Sequence, residues 1–197
     1  MSDLHLHLAS ASPRRKQILG ALGLQFSALG VDVDEQALPG EAPQALALRL
    51  AEMKAMAAAV PAETLVLGSD TVVALGDEIF GKPVDEADCL RMLARLSGRV
   101  HDVVTAVALR RDTGVDTAVV TTKVHFREIG QDEARAYWQS GEPQDKAGAY
   151  GIQGLGGIFV KAIEGSYSCV VGLPVFETAR LLADAGIEIL HLRDLHD

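Results

Sequence analysis

The sequence predicts an α/β fold, on three observations. Strand-type and helix-type segments alternate along the chain, two long β-rich runs near its middle are joined by a turn, and several helical segments open on recognisable caps. The chain has 197 residues, of which 48% are hydrophobic and 23% charged, an ordinary globular composition. A chain of this length can bury a core without a metal or disulfide staple. Residues 1–197 are expected to form a single domain, with room for two lobes.

Leu4 to Ala9 alternates and reads as a short first strand. Ser12-Pro13 is a strong helix start, a hydroxyl cap followed by Pro at the first helical position. Ile18, Leu19 and Leu22 give that helix an apolar face, and Gly23 can end it. A polar loop holding Asp32, Asp34 and Glu35 leads to an Ala- and Leu-rich helix over Pro43 to Ala59. Leu65 to Leu67 reads as a short strand, interrupted by Gly68-Ser69-Asp70 and resumed over Thr71 to Leu75. Gly76-Asp77 makes a hairpin turn into Glu78-Ile79-Phe80, and Asp85 can cap a helix running to about Leu96. Val100 to Leu109 and Thr117 to Phe126 form a second hairpin around Asp112-Thr113-Gly114, followed by a short helix over Gln131 to Gln139. Gly141 to Gly157 then holds six glycines and few core-type residues; a loop of this length in a compact domain points to function. A strand over Ile158 to Ile163 and a helix over Pro174 to Ala185, with Gly186 past its end, complete the pattern.

Several function classes are disfavoured. The formal net charge of -9 makes broad nucleic-acid binding a poor fit, because that relies on Lys and Arg neutralising phosphates. A local cluster of cations could still hold one small anion. Cys89 and Cys169 lie outside any CxxC and read as two free buried thiols of a cytoplasmic protein. Met1 to Ala9 does not read as a signal peptide, and no run of about 18 apolar residues suggests a membrane span. The phosphate loop G-x-x-x-x-G-K-[ST], the G-x-S-x-G elbow and H-E-x-x-H are missing; His5 and His7 are close but have no further ligand nearby.

Four places could carry chemistry. Ser10-Ala11-Ser12-Pro13-Arg14-Arg15 puts two hydroxyls and two guanidiniums at a helix N-terminus, whose free N–H groups already favour anions. The plain alternative is a capped helix with two solvated arginines. Asp70 lies inside a buried β-type run, where a carboxylate is costly unless paired, hydrogen-bonded or metal-bound. Gly68 before it suggests a bulge or a close backbone approach; a turn Asp between unrelated strands is the alternative. Lys54 falls near the stripe of Ala47, Leu50 and Ala58 on the face that should be buried, though it can snorkel out, and Lys82 in Gly81-Lys82-Pro83 can be a simple turn lysine. The loop Asp32-Val33-Asp34-Glu35 could join Asp70 in holding a hard divalent cation, or could be a solvated acidic loop.

Leu8 to Arg15, Gly68-Ser69-Asp70-Thr71-Val72-Val73, Gly81-Lys82-Pro83, Leu96-Ser97-Gly98 and Asp145 to Gly154 resemble the signature segments of Maf proteins. The resemblance runs to Gly172-Leu173-Pro174, nearly the whole chain. It implies an elongated mixed β-sheet with flanking helices and two lobes around a cleft, similar in architecture to inosine-triphosphate pyrophosphatases. It also implies hydrolysis of a nucleoside triphosphate between the α- and β-phosphates with a divalent cation, Mg²⁺ or Mn²⁺. Family positions fall on Ser10, Arg15, Glu35, Lys54, Asp70 and Lys82. Arg15, Lys54 and Lys82 would hold the triphosphate with Ser10; Glu35 and Asp70 would bind the metal; Asp70 would also act as base.

Ala147-Gly148-Ala149-Tyr150-Gly151-Ile152-Gln153 resembles the branch acting on dTTP and UTP, with Arg14, Thr71 and Gln153 at the positions tied to substrate choice. The Gln153 amide both donates and accepts, which suits the uracil or thymine edge. Ala11 departs from the Gly or Ser common there, with nothing essential at stake. The expected partner is the nucleotide alone, with no nucleic acid and no membrane, and a homodimer is left open. The rivals are the same chemistry on 7-methyl-GTP and a non-enzymatic regulator of septum formation.

Overall fold

The structure, a computed structural model, describes residues 5–190. A seven-stranded mixed sheet runs through it, with strands β1 (His5–Leu8), β2 (Ser27–Ala28), β3 (Thr64–Leu75), β4 (Glu78–Phe80), β5 (Val100–Arg111), β6 (Gly114–Phe126) and β7 (Val160–Glu164). Their order is β2-β1-β3-β5-β6-β7, with β4 also on β3. β1 is parallel to β2 and β3, and all other pairs are antiparallel. The helices are α1 (Pro13–Ala21), α2 (Pro43–Ala57), α3 (Glu86–Leu96), α4 (Gln131–Gln139), α5 (Tyr167–Val171) and α6 (Val175–Asp184). Among the described residues no helix is long and apolar enough to cross a membrane. Leu4, the first residue of the expected opening strand, lies outside the described residues.

The expected α/β class and most elements hold, with one instructive correction. Gly68-Ser69-Asp70 does not interrupt a strand: β3 is continuous and pairs with β5 in unbroken register from Val66–Arg110 to Ala74–Asp102. Gly68 serves a close approach instead. A Cβ there would stand 2.2 Å from the Ala51 carbonyl oxygen and 2.7 Å from the Ala55 nitrogen, so α2 lies directly on the strand. Two elements escape the sequence pattern because they are too short for any periodicity, namely β2 and α5. The last strand begins at Val160, since Leu155–Phe159 is a 3-10 turn.

The two faces of the sheet differ. On one, α2 presents Ala47, Ala51 and Ala55 to Val66, Val72, Val104, Ala106 and Ala108. Small residues on both sides keep this layer thin. On the other face the core is split. Leu19, Leu181 and Leu182 from α1 and α6 cover Leu65, Leu67, Val107 and Leu109, while α3, α4 and the following 3-10 turns cover Val73, Val103, Val124 and Phe126. Between the two cores the same face carries Ser69, Thr71 and Thr105: Thr71 Oγ1 lies 3.0 Å from Thr105 Oγ1, Thr105 donates to the Cys169 carbonyl of α5 at 2.7 Å, and Ser69 donates to the Gly172 carbonyl just after it at 3.1 Å. This polar seam divides the molecule into two lobes.

In the second core His101 is buried edge-on against Phe126 and Tyr150, with Nε2 2.9 Å from the Tyr150 hydroxyl. Nδ1 is buried and, among the described residues, has no hydrogen-bond partner. Burial, helped by His125, lowers its pKa from 6.5 to about 4.

Two consequences are measurable. Gly68→Ala forces α2 off the strand and should cost about 3 kcal/mol in denaturant unfolding; an unchanged midpoint would contradict the close approach. The folded state binds the His101 proton more weakly than the unfolded chain. Stability from this residue is therefore full above about pH 6.5 and is lost as pH falls toward about 4, by up to about 3 kcal/mol. Unfolding curves across that range should show the loss, and His101→Leu should flatten it.

Candidate active site

The edge of β3 away from β5 is paired at both ends of the strand but not in its middle. β1 accompanies it only from Thr64 to Leu67, and β4 joins it only from Val73 to Leu75. Among the described residues, Gly68 to Val72 therefore have a strand partner only on the β5 side. Two chain segments leave the sheet at this gap. After β1 comes Ser10 and the start of α1, and after β4 come Gly81, Lys82 and Pro83. A cavity of about 1060 Å³ opens there.

The α1 start is built as its sequence suggests. Ser12 caps the helix, accepting from the Arg15 N–H at 3.5 Å, with Pro13 at the first position. Ser10 Oγ accepts from the Ser12 N–H at 3.2 Å. Arg15 reaches across the gap and is fixed in three directions. Its Nε donates to the Gly172 carbonyl at 2.8 Å, one terminal nitrogen to Ser10 Oγ at 3.2 Å, and the other to Thr71 Oγ1 at 3.1 Å. These bonds tie the segment before α1 and the turn after α5 to β3, and among the described residues they use three of the five guanidinium N–H donors. Burial lowers the Arg15 pKa, and the Asp70 charge opposes that.

On the α2 face, Lys54 Nζ lies 2.6 Å from Asp70 Oδ1 and 2.6 Å from Glu35 Oε1. Lys54 and Asp70 are buried, and Glu35 is half-exposed at the cavity rim. Burial raises the Asp70 pKa, against the pull of Lys54 and Arg15 and with a smaller push from Glu35. Burial also acts to raise Glu35, but its bond to Lys54 and the charges of Lys54, Lys82 and Arg15 outweigh this and hold its carboxyl low. The result is a desolvated carboxylate on a rigid strand, surrounded by cations.

Ser10, Arg14, Arg15, Glu35, Lys54, Asp70, Thr71, Lys82 and Gln153 all line this one cavity. Lys82 is exposed just beyond β4, on the open side. Arg14 reaches the opposite lobe, 3.7 Å from Asp145. Gln153 is exposed on that lobe's wall. The acidic loop divides: Glu35 faces the site, whereas Asp34 is exposed and accepts from the Gln36 N–H at 3.0 Å, and Asp32 is exposed. Among the described residues no group of three or more His, Cys, Asp and Glu is placed to hold a metal. Sequence reasoning missed the Gly172 carbonyl and Thr105. A backbone carbonyl leaves no mark in sequence, and Thr105 lies in an otherwise ordinary β run.

The profile of the Maf-like protein family matches residues 5–185. The chain belongs to this family. A dTTP/UTP pyrophosphatase of Pseudoalteromonas translucida is 53% identical over 179 residues, covering 90% of this chain and 95% of the relative. A dTTP/UTP pyrophosphatase of a Shewanella species is 51% identical over 193 residues, covering 93% of this chain and 100% of that one. A solved nucleoside-triphosphatase / dITP/XTP pyrophosphatase from Mycobacterium abscessus overlaps in part, at 16% identity and TM-score 0.41, over 64% of this chain and 76% of that one.

The buried pair makes an energetic prediction. Lys54→Met leaves the Asp70 charge without its ammonium and should cost about 3 kcal/mol of unfolding free energy at neutral pH. Lys54→Met combined with Asp70→Asn should recover much of that loss. Thermal or urea melts of the three proteins measure it, and a single variant as stable as the wild type would mean that the pair is solvated.

Proposed function

We propose that this Maf-like protein is a dTTP/UTP pyrophosphatase, hydrolysing the bond between the α- and β-phosphates to give the monophosphate and pyrophosphate. The observation that carries the reading is the convergence of Arg15, Lys54 and Lys82 with Asp70 on one cavity. Relatives at about half identity that bear this activity in their names support it. Because one sheet runs beneath both lobes, we read residues 1–197 as one Maf-like domain. Two free buried thiols suit a reducing cytoplasm.

Each residue has a role that its surroundings support. Arg15, Lys54 and Lys82 grip the polyphosphate, with Ser10 and the α1 N-terminus adding donors. Asp70 orients the attacking water and takes its proton as the new O–P bond forms and the bond to the leaving pyrophosphate breaks. Burial raises its pKa, the direction that favours taking the proton. Most of the acceleration comes from positioning and fixed charge. Arg14, Thr71 and Gln153 sit where they can select the nucleotide.

The residues also suit a divalent cation. Glu35 and Asp70 both approach one point, which the Lys54 ammonium takes in this structure. Hard oxygen donors of this kind suit Mg²⁺ or Mn²⁺, which bind through one or two carboxylates together with substrate phosphates. Glu35 and Asp70 would hold such an ion, which would neutralise charge developing on the phosphate oxygens.

A nucleotide panel assayed for released pyrophosphate, with and without chelator, tests the whole reading. We expect turnover of dTTP and UTP that stops with chelator, and loss of nearly all of it in Asp70→Asn, which keeps the fold. Full activity on 7-methyl-GTP with none on UTP would overturn the substrate, and wild-type rates in Asp70→Asn would overturn the mechanism.

A further inference from the structure

Glu142 opens the glycine-rich segment and sits at its centre. Its Oε1 accepts from the Tyr137 hydroxyl at 2.8 Å and from the Gly156 N–H at 2.9 Å, and its Oε2 accepts from the Leu155 N–H at 2.8 Å. The Tyr137 hydroxyl accepts in turn from the Gly151 N–H at 3.1 Å. One carboxylate and its phenol partner thus hold the backbone at Gly151, Leu155 and Gly156.

The glycines explain themselves around this anchor. A Cβ at Gly154 would stand 2.1 Å from Glu142 Oε2, and one at Gly156 2.5 Å from the Tyr137 oxygen. Neither glycine has a positive φ, and a Cβ at either would crowd the carboxylate or the phenol that anchors the segment. Burial acts to raise the Glu142 pKa, but the bonds from Gly156, Tyr137 and Leu155 and the Lys146 charge outweigh it, so the group stays an anion. Burial and the Glu142 bond push the Tyr137 pKa up, so the phenol stays a donor. Gln153 lies between the held points and faces the cavity.

We propose that Glu142 is a positioning residue for nucleobase recognition, its carboxylate fixing the backbone of residues 151–156 so that Gln153 meets the base. The inference rests on the dTTP/UTP reading. It separates the two ends of the substrate: Glu142 acts on the base end and leaves the polyphosphate grip alone. An interaction made equally in the ground and transition states lowers KM without changing kcat.

The test uses Glu142→Gln, which keeps the shape but sets an NH₂ group against an N–H donor, and Tyr137→Phe, which removes the hydroxyl linking Glu142 to Gly151. Three quantities are measured in each: steady-state kinetics on UTP, inhibition by inorganic tripolyphosphate, which has no base, and amide hydrogen exchange of residues 151–157. The expected result is a UTP KM raised roughly 10-fold with kcat changed less than about threefold. Tripolyphosphate inhibition should stay within about twofold, and exchange in the segment should quicken. In a Gln153→Ala background Glu142→Gln should add little further KM loss. The proposal is overturned if KM stays at the wild-type value while exchange quickens, if tripolyphosphate inhibition weakens in step with KM, or if the two substitutions add independently. Unchanged exchange in Glu142→Gln sinks the anchor alone, whereas a wild type that leaves UTP intact sinks the underlying reading.

Discussion

Helix α2 rests on β3 at Gly68, and most of what is distinctive in this molecule depends on that contact. With the Ala51 carbonyl where a Cβ would otherwise stand, the helix axis comes close enough for Lys54 to reach Asp70 directly. A buried carboxylate in mid-strand is tolerable only because this ammonium is delivered to it. The alanine-rich composition of α2 follows from the same constraint. Larger side chains would thicken the layer and withdraw the lysine from the strand.

The cleft has a second origin, in the sheet itself. β1 and β4 approach the same edge of β3 from opposite ends and stop short of each other. The hydroxyl seam of Ser69, Thr71 and Thr105 keeps the two apolar cores apart above that gap. Arg15 spans the opening and ties Ser10, Thr71 and Gly172 together, so one side chain links α1, β3 and the turn after α5. A chain with net charge -9 thereby holds a local concentration of cations, and the acidic remainder of the surface does not weaken it at contact range.

Charged groups of α1, α2, β3 and the Gly81-Lys82-Pro83 turn face the cavity, and the glycine-rich segment forms a further part of its wall. That part has no regular sheet or long helix to stiffen it. It is held by the Glu142 carboxylate, by Tyr137, and by Tyr150 anchored to His101 in the core. Its conformation is therefore set by a few polar contacts, which suits a surface that must present one amide at a defined place.

The sequence by itself determined the alternation of elements, the Ser12-Pro13 helix start, the hairpins and the residue types of the candidate site. Caps, turns and periodicity are local, and local chemistry is written in neighbouring residues. The ordered motifs also reached the family, because several short segments at matching spacing are hard to produce otherwise. Only the tertiary structure decided that β3 runs unbroken through Gly68-Ser69-Asp70, since the reason lies on a helix some fifteen residues earlier, where a carbonyl occupies the missing side chain's space. The resemblance singles out Glu35 in the acidic loop, and the tertiary structure supplies the physical reason, its contact with Lys54. Likewise the sequence marked the glycine-rich segment only as a long functional loop, and the tertiary structure shows what Gly154 and Gly156 make room for, the Glu142 carboxylate and the Tyr137 hydroxyl. Close approach between distant segments leaves no local pattern, because its cause is the atom on the other side of the gap.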